Sequence, residues 1–487
     1  MGVIRNQSIY NTIITYIGFG IGAFNVLILF THFLEDDYHG LVAFVLSTAN
    51  IMMPLFALGV HNALIKYYSS FEENDNLNRF LTLMLLLPLV LIIPVGLIGT
   101  LAYDTISEFL SKTNPIIEKH VWLIFVAAVC FSYFEIFYSW AKVQLQSVFG
   151  NFMKEVFHRL CISGLFVLIY FEWLDVTSFI YGVIVVYIVR SLVMMIYAFG
   201  IRKPVFRMGK IPGLKGIIQY SLLIIIAGSI ALVLLEIDKF MIGELMIIEN
   251  VAYYGVAIYI ATVIGVPARS MHQITNPVTA KLLNTNDMNG LESLYKRSSL
   301  NLFVISGLIF ILIISNINQM YEIISDGGRF SAALLVVILV SLAKLSDNVM
   351  GNNNAILFNS KYYAVVLILG VILAISAVGL NLWLIPKYGM NGAAFATVIS
   401  IFGYNTAKLL FVYLKLKMSP FTSGTVKAIV LILVLSGAFY FWEFPFHPIV
   451  NIGLKSVLIG VLYTLVVYIL NISEDISAIL DKWIPRV

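Results

Sequence analysis

The chain has 487 residues, of which 60% are apolar and only 11% charged, with a formal net charge of +4 at pH 7. A soluble globular domain carries roughly 25% charged residues, so water is not the main solvent of this chain, and so small a net charge does not suggest nucleic-acid binding. The two cysteines, Cys130 and Cys161, both lie in apolar stretches and read as packing residues, not as a disulfide.

A helix needs about 20 apolar residues to cross ~30 Å of hydrocarbon, at about 1.5 Å per residue. The first such run, 9–33, is too long for a signal core and has no small-residue cleavage site after it, so it is expected to stay as the first span. Five more follow at 41–65, 80–101, 121–141, 152–171 and 179–199, and six at 217–235, 251–268, 300–317, 331–350, 363–385 and 392–413. Two further runs, 425–442 and 451–470, bring the count to about fourteen; thirteen stays open, because Asn352, Asn353 and Asn354 follow the tenth run. The predicted fold is all-α and polytopic. Its expected organisation is a six-helix bundle over 1–200, a basic linker over 201–216, a second bundle over 217–415, and two added spans with a tail over 416–487.

Lys and Arg are retained on the cytoplasmic side during insertion. With the amino terminus inside, 23 of the 30 basic residues count on the cytoplasmic side, Lys408 among them; Lys112, Lys119, Lys239, Arg329, Lys387 and Lys455 count with the outer loops, and Arg190 counts as lying within a span. Both termini are therefore expected on the cytoplasmic side, where Arg5, Lys482 and Arg486 also count. The linker 201–216 holds five basic residues, Pro204 and Pro212, and no acidic one; an ordinary positive-inside loop explains it better than a lipid-headgroup site. Trp122, Trp140, Trp173, Trp383, Trp442 and Trp483 lie mostly at span ends, as an interfacial belt does. Pro54, Pro88, Pro94 and Pro267 lie inside spans and are expected to kink them.

The second spans of the two halves begin with a short echo, Tyr38-His39-Gly40-Leu41-Val42-Ala43-Phe44 against Tyr253-Tyr254-Gly255-Val256-Ala257-Ile258-Tyr259. Six helices return the chain to its starting side, so such repeats are parallel, a pattern of transporters that enclose a cavity and rock.

Three segments carry a family likeness. They are Glu236-Ile237-Asp238-Lys239-Phe240-Met241-Ile242-Gly243 before Val251-Ala252-Tyr253-Tyr254-Gly255, Phe33-Leu34-Glu35-Asp36-Asp37-Tyr38-His39-Gly40, and Asn381-Leu382-Trp383-Leu384-Ile385-Pro386-Lys387-Tyr388-Gly389 into Gly392-Ala393-Ala394. In order and position they resemble the multidrug/oligosaccharidyl-lipid/polysaccharide flippase superfamily, and within it the polysaccharide-biosynthesis (Wzx-type, O-antigen flippase) branch. The resemblance implies a monomer in the bacterial inner membrane that moves an undecaprenyl-pyrophosphate-linked oligosaccharide to the outer leaflet by alternating access. It implies no enzyme activity and no cofactor or metal, and an ion gradient, the membrane potential or product removal as the driving force. A drug/cation antiporter of the same superfamily, or a lipid II flippase, are the alternatives. A membrane glycosyltransferase would need acids, bases or metal ligands in a large outer loop, and the outer loops are short.

A charge near the membrane centre costs ~2.5–3.5 kcal/mol, so it should face a partner or a wet cavity. Glu135 in the fourth span and Arg190 in the sixth are the candidates; they either pair or line a cavity, where the guanidinium fork of Arg190 suits pyrophosphate. Arg269 and His272, one turn apart at the end of the eighth span, and Lys344 and Asp347, three apart in the tenth, are further candidates to line a substrate cavity; the competing readings are a positive-inside anchor for Arg269 and a pair on one helix face for Lys344 and Asp347. Asp238 reads as a turn-fixing residue.

Overall fold

The computed structural model describes residues 2–71, 75–324 and 328–481; the side chains of 2–6, 8, 9, 226–235 and 273 fall outside the description, as do Lys482, Trp483 and Arg486 and the Arg5 side chain counted above. Every regular element among the described residues is a helix. In chain order these include α1 (Gly2–Phe24), α2 (Asp36–Phe56), α3 (Val60–Tyr67), α4 (Asp75–Leu86), α5 (Leu89–Leu101), α6 (Val121–Val143), α7 (His158–Tyr170), α8 (Val176–Ile201), α9 (Leu214–Leu245), α10 (Glu249–Thr262), α11 (Val266–Asn284) and α12 (Met288–Ile323). They continue with α13 (Leu334–Asn348), α14 (Asn353–Asn359), α15 (Tyr363–Tyr388), α16 (Met390–Leu416), α17 (Ser423–Tyr440), α18 (Pro448–Ile469) and α19 (Glu474–Leu480). Twelve helical stretches among the described residues are long and apolar enough to cross a bilayer. The other two expected spans are also helical: the fifth is interrupted by a π turn at Met153–Phe157, and the seventh is the 32-residue α9. The protein is a multi-pass membrane protein. Its apolar exposure agrees, because Val90, Ile93, Leu97, Ile98 and Leu101 all point out of α5, an arrangement that costs ~25 cal/mol per Å² in water and nothing comparable in lipid.

Prolines and glycines mark where spans break. The second span stops at Phe56, three residues after Met53 and just past Pro54, and restarts as α3 after Leu58 and Gly59, both left-handed at φ +46° and +67°. The third span breaks at Pro88, and the eighth passes through a 3-10 turn, Val263–Gly265, with Pro267 opening α11. The second and eighth spans thus share a break as well as a sequence echo.

The chain forms two compact units, Met1–Ala252 and Tyr253–Val487. In the first, α6 is the central helix, packed on α2, α3 and α8, and its core gathers Trp140, Phe134, Phe80 and Met194. Trp140 is therefore not part of the interfacial belt: it is 1% exposed and donates its indole N–H to the carbonyl of Arg202 at 3.2 Å. The linker hangs on the same end of this unit. Thr82 accepts from the Arg207 amide at 3.0 Å, and Arg207 reaches Asp75 at 3.7 Å. Helix α9 packs along α2 within this unit, because Gly40 and Gly243 leave room there for the Ile248 carbonyl and the Phe44 ring.

In the second unit α12 is the long central helix, packed on α11, α13, α17 and α18. Helices α15 and α16 form a tight pair joined through Gly389 (φ +60°), with Gly392 lying against the Leu384 carbonyl. Short α19 folds back onto α12. Arg297 grips Asp475 with two N–H groups, Nε at 3.0 Å, while Asn301 donates to Asp475 at 2.7 Å and accepts from Ser473 at 2.6 Å. The hydrogen bond from Arg297 holds the Asp475 carboxyl below its ordinary value of 3.8. A carboxylate depressed in the docked state contributes stability that is complete above its ordinary value and is lost as pH falls through the lower docked value. Docking of α19 is therefore expected to persist at neutral pH, to begin weakening only once pH falls below the ordinary carboxylate value of 3.8, and to be lost at still lower pH. Asp475→Asn is expected to release it at pH 7, seen as faster hydrogen exchange over residues 472–480.

Candidate functional site

Each unit holds one concentration of intramembrane charge. In the first, Glu135 sits on α6 between buried Phe134 and Ile136. The π turn at Met153–Phe157 widens the fifth span by one residue and carries Lys154 toward it; such turns are frequent at functional sites. Lys154 Nζ donates to Glu135 Oε1 at 2.6 Å. His61 of α3 lies within electrostatic range of Glu135, Lys154 and Lys142, and Arg159, held to Glu155 at 3.4 Å, lies within range of His158 and Tyr187. Lys142 Nζ lies 3.7 Å above the Tyr138 ring.

Arg190 does not pair with Glu135, one of the two arrangements its sequence position allowed. The carboxylate is taken by Lys154, and the guanidinium instead enters an aromatic box, with Cζ 4.2 Å from the Phe134 ring centre, 4.7 Å from Tyr187 and 5.4 Å from Phe131. The side chain is 7% exposed, its Nε is buried with no hydrogen-bond partner, and no ion pair reaches it among the described residues. Cation–π contact with desolvated rings contributes about 2 kcal/mol, but the rings leave the in-plane N–H donors unused. The result is a guanidinium fork held by its faces, with its edge available to an oxyanion.

In the second unit the tenth span is discontinuous. Helix α13 ends at Asn348, the chain turns through Gly351 at φ +53°, and α14 begins at Asn353. Side-chain amides hold the break. Asn348 donates to the Ile264 carbonyl at 2.7 Å and to Ser306 at 2.6 Å, Asn352 to Thr279 at 2.8 Å, and Asn353 to the Tyr295 hydroxyl at 2.6 Å. Broken spans are where transporters place binding sites. Two of the three asparagines that made the end of this span uncertain in the sequence, Asn352 and Asn353, thus fasten the break together with Asn348, while Asn354 accepts from Lys408.

Lys344 and Asp347 lie on the last turns of α13 but make no ion pair; Lys344 stays within electrostatic range of Asp347 and Arg269. Arg269 and His272 share α11 as expected, and His272 lies within range of Asp347 and of Lys408. The positive-inside count puts Lys408 on the cytoplasmic side. It is instead fully buried in α16, donating to Asn354 Oδ1 at 2.9 Å and lying 4.0 Å from the Tyr404 ring centre. Lys455, counted as an outer-loop residue, is 1% exposed in α18 and donates to the Ser315 carbonyl at 2.5 Å. Both lie inside apolar runs, and that placement was the signal that could have revealed them as intramembrane cations. Among the described residues no three His, Cys, Asp or Glu side chains gather as a metal site.

A multi-pass helical protein with one basic, partly paired cluster inside the membrane region of its first unit and a broken span in its second is built as a membrane transporter. The model of the family described as polysaccharide biosynthesis protein matches residues 4–283, more than half of the chain, and the chain belongs to that family. Comparison with curated proteins finds none that matches. Among solved structures, a lipid II flippase, MurJ, in an inward closed conformation is similar over 96% of this chain and 100% of its own, at 14% identity and a TM-score of 0.73. An inward-facing multidrug resistance MATE family transporter of the MOP superfamily is similar over 84% of this chain and 94% of its own, at 14% identity and a TM-score of 0.62. A Vibrio cholerae MATE transporter is similar over 86% and 98%, at 10% identity and a TM-score of 0.55. These likenesses show the MOP flippase-like fold. Family and fold together make the chain a membrane flippase or transporter.

Proposed function

We propose that this protein flips an undecaprenyl-pyrophosphate-linked oligosaccharide from the inner to the outer leaflet of the bacterial inner membrane, by alternating access, for surface polysaccharide assembly. The observation that carries this reading is Arg190, a buried guanidinium with free edge donors in a basic cluster, on a chain of the polysaccharide biosynthesis family. A pyrophosphate offers that fork bidentate oxygens. Lys154, Lys142 and Arg159 add positive charge, while Glu135 is neutralised by Lys154; a drug-cation exporter would need that carboxylate free. Both termini are assigned to the cytoplasm, and the unit of transport to the monomer.

The test is reconstitution of the full chain in liposomes loaded with fluorescent undecaprenyl-pyrophosphate oligosaccharide, with outward appearance of the label followed by an impermeant quencher. The expected result is label crossing in protein-containing vesicles only. Crossing of organic cations with no movement of the lipid would reverse the reading in favour of an antiporter.

A further inference from the structure

The second unit contains a pocket of about 500 Å³ that the reading above does not use, between the second half of α11 and short α14. Its wall is His272, Asn276, Pro277, Ala280, Asn354, Ala355, Phe358 and Asn359. The volume is that of a small-molecule site. The chemistry of the wall is narrow. It has three carboxamides, one imidazole and one exposed aromatic ring, and no carboxylate, ammonium or guanidinium group.

The state of those amides matters more than their number. Asn276 has no hydrogen-bond partner among the described residues, so both of its N–H donors and its carbonyl are open. Asn354 spends its carbonyl on Lys408 at 2.9 Å, which leaves its NH₂ group to the pocket and fixes which end of the amide faces the ligand. A lysine charge on the carbonyl also polarises the amide and strengthens its N–H as a donor. Asn359 donates to the Ala355 carbonyl at 2.8 Å, so its carbonyl is the end left for a ligand. The wall therefore offers donors from Asn354, an acceptor from Asn359, and both from Asn276. Phe358 adds an apolar face, 57% exposed.

Oriented donors and acceptors beside one ring, without formal charge, match a neutral polyhydroxylated molecule. Each hydroxyl both donates and accepts, and the apolar C–H face of a pyranose covers an aromatic ring. A phosphate would find no cation here, since Lys408 is capped by Asn354 and Tyr404. An acyl chain would strand the amides. We propose that this pocket is a saccharide subsite, holding a sugar unit of the transported glycan, separate from the pyrophosphate-binding role assigned to Arg190. The inference rests on the flippase reading and names which part of the molecule selects the glycan.

The test measures binding to the full chain in nanodiscs of two probes: the water-soluble oligosaccharide released by mild acid from undecaprenyl-pyrophosphate-linked glycan, and undecaprenyl pyrophosphate without sugar. The Asn276→Leu/Asn354→Leu double variant and, separately, Phe358→Ala are expected to weaken the oligosaccharide by about ten-fold or more while leaving the sugarless lipid unchanged. Arg190→Met is expected to do the reverse. Retained binding of the sugarless lipid shows that the pocket variants are folded. Equal oligosaccharide affinity in wild type and both pocket variants, or no oligosaccharide binding to wild type, overturns the subsite. Failure of the liposome assay with this crossed pattern intact would sink the flippase reading and leave the sugar site standing.

Discussion

Replacing Arg190 by Met is expected to slow lipid-linked oligosaccharide movement by about ten-fold to a hundred-fold, the worth of a lost charge-assisted hydrogen bond of ~1.5–3 kcal/mol, while the purified protein melts at the same temperature or higher. The two halves of this expectation come from one observation. A charge inside the membrane costs ~2.5–3.5 kcal/mol, and the aromatic box of Phe131, Phe134 and Tyr187 returns only about 2 kcal/mol of it. Among the described residues no carboxylate pairs with Arg190 directly: Glu135 and Glu155 act on it only at longer range, being engaged by Lys154 at 2.6 Å and by Arg159 at 3.4 Å. Methionine fills the same box without the charge, and exchanging buried ions for well-packed apolar groups is often neutral or stabilising. Arg190→Lys keeps the charge and loses the fork, so it too is expected to slow transport, since a point charge cannot bind two oxygens in one plane. The checks are the liposome assay and a thermal melt on the same preparations. A variant that melts lower yet transports at the wild-type rate would make Arg190 a packing residue.

The second large effect is expected at Gly40 and Gly243. A Cβ at Gly40 would run into the backbone carbonyl of Ile248, and one at Gly243 into the ring of fully buried Phe44, which itself stacks on Phe240 with ring centres 5.8 Å apart. Neither obstacle can swing away. Asn114 pins the same loop, donating to the Gly243 carbonyl at 2.6 Å and to that of Met246 at 2.8 Å while accepting from the Ile248 amide at 2.8 Å. Overpacking a tight site costs ~1–3 kcal/mol and at times more, so Gly40→Val and Gly243→Val are each expected to lower the melting temperature and the yield of monodisperse protein. Gly164→Ala is the control. Nothing lies within 4 Å of a Cβ there, and alanine in a helix is worth ~0.8–1 kcal/mol over glycine. Unaltered yield and melting in both valine variants would show that α2 and α9 do not approach as closely as described.

These glycines explain what the recognisable motifs are for. Gly40, Gly243 and Gly392 come from the three segments that resemble the family, and each lies where a backbone or ring leaves no room for a side chain. Backbone approach tolerates one residue type, so it leaves a readable mark. The groups assigned to binding leave none: Arg190, Asn276 and Asn354 belong to no motif, and their roles depend on which helix happens to face them.

The places of the spans were determined by local properties. Hydrophobic length is a sum over neighbours in sequence, and all fourteen expected spans fall on helical segments. Intramembrane charge is equally local, so Glu135 and Arg190 stood out at once. Their partners were not local. Lys154 reaches Glu135 only because a π turn advances it by one residue, and Arg190 is left unpaired only because that turn has claimed the carboxylate. Likewise Asn354 becomes a directed donor only when Lys408, 54 positions away in the chain, occupies its carbonyl. Burial and pairing are properties of several helices at once, so the sequence by itself determined where the polar groups are, and only the tertiary structure decided which of them are already satisfied and which are left for a ligand.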